Sequence, residues 1–389
     1  MKNKLFYIVK YSKITYFMYY HFMSFVVWII GCFVKRNDKL ILFNSFGGKK
    51  YDDNPKAIYD EMIKDMRFKD YRLVWAFQES NKIIAPIETV KCDTFRYFKM
   101  ALSAKMWITN SSMERGLKFK KKKTICFNTW HGTAIKKMGC DIINNQSFRS
   151  ELSADIMLAQ SQYDIDVFSH AFNIPVENFR LIGLPRNDEL VNYTQDRVDR
   201  IRKTLNILSG KRILLYAPTF REYTKGKNKE VIINMPINLD KWQKTLGNDY
   251  IVLFRAHYEV AKYMDFENYS VFVDVSKYEC LADLMILSDA LITDYSSICF
   301  DYSIMHKPIY CFAYDYEEYI SKRGTYLELV KELPCMIHHD ESSLLKDIIH
   351  GDFEKNYKEK VIEFQKKYAL CNGNASRLSC DIIYELLQR

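Results

Sequence analysis

The chain has 389 residues, 48% of them hydrophobic, and 57 Lys and Arg against 48 Asp and Glu give it a net charge of +9. That length exceeds one ordinary core and predicts two domains, and the apolar content excludes global disorder. The mild basicity suits an anionic membrane face or a phosphate-rich substrate; with no nucleic-acid-binding motif and no GxxxxGK[ST] loop, a nucleic-acid partner and P-loop chemistry are set aside.

In chain order, the first feature is Ile14 to Val34, 21 residues without Lys, Arg, Asp or Glu and without leucine, preceded by Lys2, Lys4, Lys10 and Lys13 and followed by Lys35 and Arg36. It reaches the length of a membrane span. No small-residue cleavage site follows, so it is not read as a signal peptide. Charge on both flanks sets no orientation, and an interfacial helix with its aromatics at headgroup depth fits the pattern at least as well; a buried core helix is the plain alternative.

From Lys39 onward short apolar runs alternate with helical patterns. Strands are predicted at 39–45, 71–77, 104–110, 124–128, 154–159 and 179–183. A helix is predicted after Asn54 as N-cap with Pro55 at its first position and Ile58, Met62 and Met66 along one face; another is capped by Ser161. A second series follows, with strands at 212–218, 250–256, 269–274, 289–294 and 308–313, a helix over 280–288, and two helices in 354–388. Such alternation implies parallel sheets with helices on both faces, hence two doubly wound α/β domains facing a cleft. The expected boundaries are 1–38 for the membrane-associating segment, 39–190 for the first domain and 205–389 for the second. The run KFKKKK (118–123) reads either as a solvated loop or as a contact with anionic headgroups or a polyanionic acceptor. The ten cysteines form no CxxC pair and read as reduced thiols, several of them buried; the ligand spacing of a zinc site is absent.

In open α/β sheets ligands bind beyond the carboxyl ends of the strands, and five polar clusters fall there. In NTWHGTAIKKMG (128–139), His131 and Gly132 follow a strand and Thr133 opens what reads as a short helix stopped by Gly139. His131 is a candidate base or phosphate ligand, or else a half-buried histidine satisfied by a carbonyl, and Gly132 would let a ligand approach the backbone. In GLPRND (183–188), Pro185 rigidifies a turn, Asn187 or Asp188 can cap the next helix and Arg186 is left free. In YAPTFRE (216–222), Thr219 and Arg221 point beyond the strand, Arg221 suited to a bidentate grip on phosphate or simply exposed. In LFRAHYE (253–259), Arg255 and His257 share one face of an extended segment. In ITDYSSICFDY (292–302), Asp294, Ser296 and Ser297 stand at a helix start, with Asp301 one turn on; a phosphate cradle and an ordinary serine cap both fit.

Taken jointly, SFGGKKYDDNPKAIYDEM (45–62), TWHGTAIKKMG (129–139), GLPRND, YAPTFR, RAHY (255–258) and TDYSSICFDY (293–302) resemble the CDP-glycerol glycerophosphotransferases of Gram-positive teichoic acid and capsule synthesis, from about Leu40 to the C-terminus. Ala134 stands where the family commonly has proline, and Phe220 where it commonly has tryptophan. The resemblance implies a GT-B fold, with an acceptor-side first domain and a nucleotide-side second one, in an enzyme peripheral to the cytoplasmic face of the membrane. It implies transfer of glycerol phosphate from CDP-glycerol, or of ribitol phosphate from CDP-ribitol, to a polyprenyl-diphosphate-linked saccharide, with release of CMP. The roles expected on that basis are His131 as base and His257 with Arg255 as stabilisers of phosphoryl charge. Thr219, Arg221, Ser296 and Ser297 would hold the pyrophosphate, with Gly132, Thr133 and Asp294 beside the donor and Arg186 and Asp301 towards the alditol. No resident cofactor or metal site is expected, although a pyrophosphate can bring Mg²⁺ with it; oligomerisation is left open. A GT-B glycosyltransferase using a nucleotide sugar and a non-catalytic donor-binding scaffold are the competing readings. The short N-terminal region points toward addition of one or few units.

Overall fold

The computed structural model describes residues 13–79, 86–142, 152–207, 210–219, 237–256 and 266–389. The chain divides into two units, one comprising Met1–His131, Met138–Arg186 and Asn374–Arg389, the other Gly132–Lys137 and Asn187–Gly373.

The first unit is built on seven parallel strands: β1 (Asn37–Asn44), β2 (Arg72–Phe77), β3 (Glu88–Lys91), β4 (Ala104–Thr109), β5 (Ile125–Asn128), β6 (Ile156–Ala159) and β7 (Phe179–Leu181), in the order β3-β2-β1-β4-β5-β6-β7. Chain order reverses between β1 and β4, where Leu42 pairs with Trp107 and Asn44 with Thr109. Every residue of β4 is buried, as expected of a parallel strand covered on both faces. The predicted strands 39–45, 71–77, 104–110, 124–128, 154–159 and 179–183 are all present; β3 was not anticipated, because four residues with a single buried apolar side chain, Val90, at a sheet edge carry little signal.

Four helices of this unit bear on the site and on the N-terminal segment. α1 (Lys13–Phe33) lays one face on the unit: Val27 is buried in a cluster with Tyr97, Leu102, Leu117 and Phe119, with Met23 and Ile30 packed against it. Gly31 allows this approach, since a Cβ there would lie 3.2 Å from a methyl of Leu102. α2 (Asp53–Met62) buries Ile58 and Met62. Its N-cap is Asp52, not Asn54, and Met66 lies beyond its end, largely exposed. α3 (Phe95–Ser103) is capped by the Thr94 side chain. α4 (Gln162–Phe172) is capped by Ser161, as its sequence predicts.

The second unit has six parallel strands: β8 (Arg212–Tyr216), β9 (Tyr250–Phe254), β10 (Phe272–Asp274), β11 (Ala290–Thr293), β12 (Ile309–Phe312) and β13 (Ile337–His338), in the order β10-β9-β8-β11-β12-β13. The reversal falls between β8 and β11, where Tyr216 pairs with Ile292. All five predicted strands are found, and α7 (Leu281–Leu287), which follows α5 (Gln195–Thr204) and α6 (Leu239–Leu246), lies in the predicted 280–288. α8 (Ile298–Ser303) packs Phe300 on Phe364 of α9 (Lys358–Tyr368).

The last helix departs from the expected division at 205–389. α10 (Ala375–Gln388) belongs to the first unit. Its buried Cys380, Ile383 and Leu387 join Ile58, Tyr59, Met62 and Phe68 in one cluster, and each fully buried aliphatic contributes about 1.5–3 kcal/mol. Burying that stripe outweighs chain proximity. All ten cysteines are free, five of them buried.

Candidate active site

The carboxyl ends of β1, β4 and β5 bring together a set of polar residues that is almost wholly buried: Asn44, Ser45, Thr109, Asn110, Asn128 and Thr129. Their mutual bonds shape the loops. Asn110 Oδ1 accepts from the Phe46 amide at 2.7 Å, and Ser111 Oγ accepts from the Gly47 amide at 2.9 Å. Asn128 Oδ1 accepts from the Trp130 amide at 2.9 Å while its Nδ2 donates to the Ser111 carbonyl at 2.9 Å. Phe46 and Trp130 both take left-handed conformations (φ 47° and 51°). Such strain in bulky residues persists only where surroundings over-determine it, and here it turns both rings onto His131.

His131 lies between them, its ring centroid 4.0 Å from that of Trp130 and 5.6 Å from that of Phe46. Nδ1 is 2.7 Å from the carbonyl oxygen of Asn110. A carbonyl only accepts, so Nδ1 carries the proton and the lone pair of the neutral ring sits on Nε2. Burial is the main influence on its acidity and pulls its pKa below the ordinary histidine value; the Asn110 carbonyl and the Asp53 carboxylate push it up, and the Arg186 guanidinium pulls it down. The net result is a neutral imidazole at neutral pH, with its tautomer fixed and Nε2 as the basic atom.

Arg186 is held in place rather than free. Its guanidinium donates to both carboxylate oxygens of Asp53 (3.2 and 3.1 Å) and to the backbone carbonyl of His131 (2.8 Å), and its amide donates to Asn54 Oδ1 (3.0 Å). Asp53, itself left-handed at φ 67°, starts α2. Nor does Asn187 or Asp188 cap the next helix: α5 is capped by Thr194, and Asn187 Nδ2 instead donates to Asp301 at 2.9 Å. Asp301 is thus buried against a partner within its own unit.

The helix expected after Thr133 does not form. Residues 132–137 run extended beside 324–326: Lys136 bridges Thr325, the Lys137 amide donates to the Gly324 carbonyl, and the Tyr326 amide donates to the Ile135 carbonyl. Backbone groups satisfied in this ladder are unavailable to a helix. Thr133, Ala134 and Ile135 are buried, so Thr133 is no helix cap and no helix N-terminus backs His131. Gly132, at φ 136°, supplies a turn that side-chain-bearing residues rarely adopt. Gly139 has a packing role, since a Cβ there would sit 2.0 Å from the Ala171 carbonyl oxygen.

In the second unit the reversal point between β8 and β11 is organised by Asp294. Its carboxylate accepts from the Thr219 amide (3.0 Å to each oxygen), the Thr219 hydroxyl (2.5 Å) and the Tyr295 amide (2.7 Å). Thr293 Oγ1 closes the same turn on the Ala217 carbonyl at 2.9 Å. Thr219 and Asp294 therefore meet, as two of the five clusters. Ser296 and Ser297 follow, both half-buried; Ser297 is the N-cap of α8 without a capping side-chain bond, and Ser296 Oγ accepts from the Ile298 amide at 3.4 Å. Arg255 Nη1 donates to the carbonyls of Val275 (3.2 Å) and Tyr278 (2.6 Å), bracing the chain after β10. Arg221, Phe220 and His257 lie outside the described residues. Among the described residues no three His, Cys, Asp or Glu side chains gather in a metal-ligating group.

A profile of the CDP-glycerol:poly(glycerophosphate) glycerophosphotransferase family matches residues 26–385. The chain belongs to that family. Its relatives include the teichoic acid poly(glycerol phosphate) polymerase of Staphylococcus epidermidis, 35% identical over 89% of this chain, which spans half the length of that protein. The teichoic acid glycerol-phosphate transferase of Staphylococcus aureus is 32% identical over 90% of this chain and 94% of its own length. Among solved structures the wall teichoic acid polymerase TagF superposes with a TM-score of 0.84 at 33% identity, covering 92% of both chains. A UDP-N-acetylglucosamine 2-epimerase from Listeria monocytogenes, 11% identical with a TM-score of 0.54, shares the fold alone. The two doubly wound sheets are those of the GT-B fold.

The first unit holds the residues that sequence reasoning missed. Asp53, Asn54, Asn110, Asn128 and Trp130 stand around His131 in this glycerophosphotransferase-family chain. A signal was present: β1, β4 and β5 all end in Asn, Thr or Ser, and polar residues at adjacent strand ends of a doubly wound sheet line its reversal point.

Proposed function

We propose that the chain transfers glycerol phosphate from CDP-glycerol to a polyprenyl-diphosphate-linked acceptor in teichoic acid or capsular polymer synthesis. An acceptor hydroxyl attacks the phosphorus that bears the glycerol. The new P–O bond forms as the pyrophosphate P–O bond breaks, and CMP leaves with the bridging oxygen. His131 Nε2 takes the hydroxyl proton. A positioned base of this kind contributes about 10²–10⁴-fold. The observation that carries the reading is the bond from Nδ1 to Asn110, which leaves the basic lone pair on a neutral ring held between Trp130 and Phe46.

Family membership supports the donor class, and TagF has been solved after soaking with CDPG. We assign the donor nucleotide to the second unit, at the turn that Asp294 and Thr219 build at the β8–β11 reversal. Ser296 and Ser297 stand beside it with half-buried hydroxyls suited to phosphate oxygens. His257 and Arg221 keep their assigned roles at the phosphoryl group. If Mg²⁺ takes part, it arrives with the pyrophosphate.

The reaction runs at the cytoplasmic face of the membrane. α1 supports this placement. It is the one helix among the described residues long and apolar enough to cross a membrane, and about a tenth of that stretch is buried. Phe17, Phe22, Phe25, Trp28 and Phe33 are exposed, while the opposite side is docked on the first unit. A helix docked on the unit through Met23, Val27 and Ile30 favours lying in the interface over crossing it.

Incubation of the purified protein and a lipid-linked disaccharide with CDP-glycerol, CDP-ribitol or UDP-sugars, read by product mass, tests the assignment. Glycerol phosphate addition with CMP release is expected, and the number of units added distinguishes priming from polymerisation. Ribitol phosphate addition alone would move the donor assignment to CDP-ribitol. Sugar transfer, or donor binding without turnover, would overturn the reaction.

A further inference from the structure

The amino ends of the first sheet, opposite the edge that carries His131, hold a cavity of about 420 Å³ lined by Arg36, Lys105, Lys123, Ile125, Leu386 and Arg389. Four of the six are cations. Among the described residues only Arg36 of these four has a carboxylate partner, Asp38. Lys105 is buried and donates Nζ to the Leu387 carbonyl at 2.8 Å, at the end of α10. Arg36 Nη1 donates to the Lys123 carbonyl at 3.2 Å, so the walls are tied together. Cations gathered round an apolar floor of Ile125 and Leu386 suit an anion with an apolar stem.

The position of this pocket selects the ligand. Arg36 follows the end of α1 by three residues, and Phe33 is 84% exposed. Lys121 Nζ donates to the Val34 carbonyl at 2.7 Å, which brings the lysine run to the same end of the helix. The Glu114 carboxylate fixes that run by accepting from the amides of Phe119 and Lys120 at 2.6 and 2.8 Å. With the aromatic stripe of α1 at the boundary between headgroups and acyl chains, the pocket lies at the level of lipid phosphates.

We propose that this pocket binds the phosphate of an anionic glycerophospholipid headgroup and gives the chain its preference for anionic over zwitterionic membranes. The proposal rests on the membrane-surface reading above. It is separate from the reaction at His131.

Co-sedimentation of the full chain with phosphatidylcholine vesicles, and with vesicles containing phosphatidylglycerol at equal total lipid, tests it. The wild type binds the anionic vesicles more tightly. In the variant Arg36→Gln/Lys123→Gln/Arg389→Gln the ratio of the two affinities falls about fivefold per removed cation, while binding to phosphatidylcholine is kept. A charge-matched variant at exposed lysines, Lys346→Gln/Lys355→Gln/Lys366→Gln, retains the wild-type ratio. Equal loss in both variants, or no loss in the pocket variant, overturns the pocket. Wild type that binds both vesicles equally also overturns the pocket but leaves membrane association standing; wild type that binds neither overturns the membrane reading itself. A thermal shift with inorganic phosphate, together with no preference between vesicles, would assign the pocket to free phosphate and overturn the lipid.

Discussion

The Asn110 carbonyl and His131 are joined by a bond of 2.7 Å that fixes which nitrogen of the imidazole can act as a base. The partner is main chain, so its position is set by β4 and not by a rotamer. On the proposed mechanism, replacing the ring removes the acceptor for the substrate proton. His131→Ala is expected to lower turnover about 10²–10⁴-fold with the CDP-glycerol KM little changed, measured by CMP release. A loss confined to KM would make His131 a binding group instead.

The same burial sets a pH dependence. The unfolded chain titrates this ring at roughly 6.5, while between Trp130 and Phe46 its pKa is lower, chiefly through desolvation. Activity should therefore be level through neutral pH and fall only below about 6.5, as Nε2 takes a proton. Linkage has a matching sign. Between the two pKa values the unfolded state binds more protons, so the contribution of His131 to stability is complete above about 6.5 and declines as pH falls through that window. Rate and denaturant midpoint as functions of pH check both; an acid limb well above 6.5 contradicts the environment described.

Asp53 is the third member of this arrangement, pairing with Arg186 while its charge favours a protonated His131. Asp53→Asn keeps a residue type that tolerates φ 67° but removes the charge. Loss of charge-assisted bonds to Arg186 should cost about 1.5–3 kcal/mol, read from urea unfolding. The acid limb of the rate should move to lower pH, which a purely structural role would not produce. Asp53→Ala should be less stable than Asp53→Asn, because alanine is strained in the left-handed region.

How far the sequence carried this picture differs by element. Strands such as Leu40–Phe43 and Arg212–Tyr216 were legible because buried parallel strands read as continuous apolar runs. His131, Thr219 and Asp294 were legible because they follow such runs directly. The TAIKKM segment was not. Its composition suits a helix, but its backbone groups are claimed by residues 324–326, almost two hundred positions away. Arg186 was read as free for a related reason, as its partner Asp53 is 133 residues distant. The membership of α10 in the first unit likewise depends on a long-range fit between Ile383, Leu387 and α2 that no local pattern encodes.

Asp294 should behave as the keystone of the second unit's candidate site. One buried carboxylate satisfies the Thr219 amide, the Thr219 hydroxyl and the Tyr295 amide. Asp294→Ala orphans these donors, and each left unsatisfied costs about 1–3 kcal/mol. Asp294→Asn retains one acceptor oxygen and should lose less. If the turn carries the donor nucleotide, the CDP-glycerol KM rises in both variants in the order of their instability, and acceptor KM does not. Unchanged donor KM in a folded Asp294→Asn protein would move the donor elsewhere.

The two faces of α1 can be separated by one substitution. Gly31 sits where a Cβ would meet Leu102 at 3.2 Å and the Lys121 stem at 3.5 Å, so a branched side chain cannot enter without displacing the helix. Gly31→Leu leaves the exposed stripe of Phe25, Trp28 and Phe33 intact while levering the helix from the Val27, Leu102 and Phe119 cluster. Overpacking of this kind costs about 1–3 kcal/mol. Limited proteolysis should then cleave near the C-terminal end of α1 in solution, while vesicle binding persists through the stripe. A variant that resists protease as well as the wild type would show that the contact at Gly31 is not what holds α1 to the sheet.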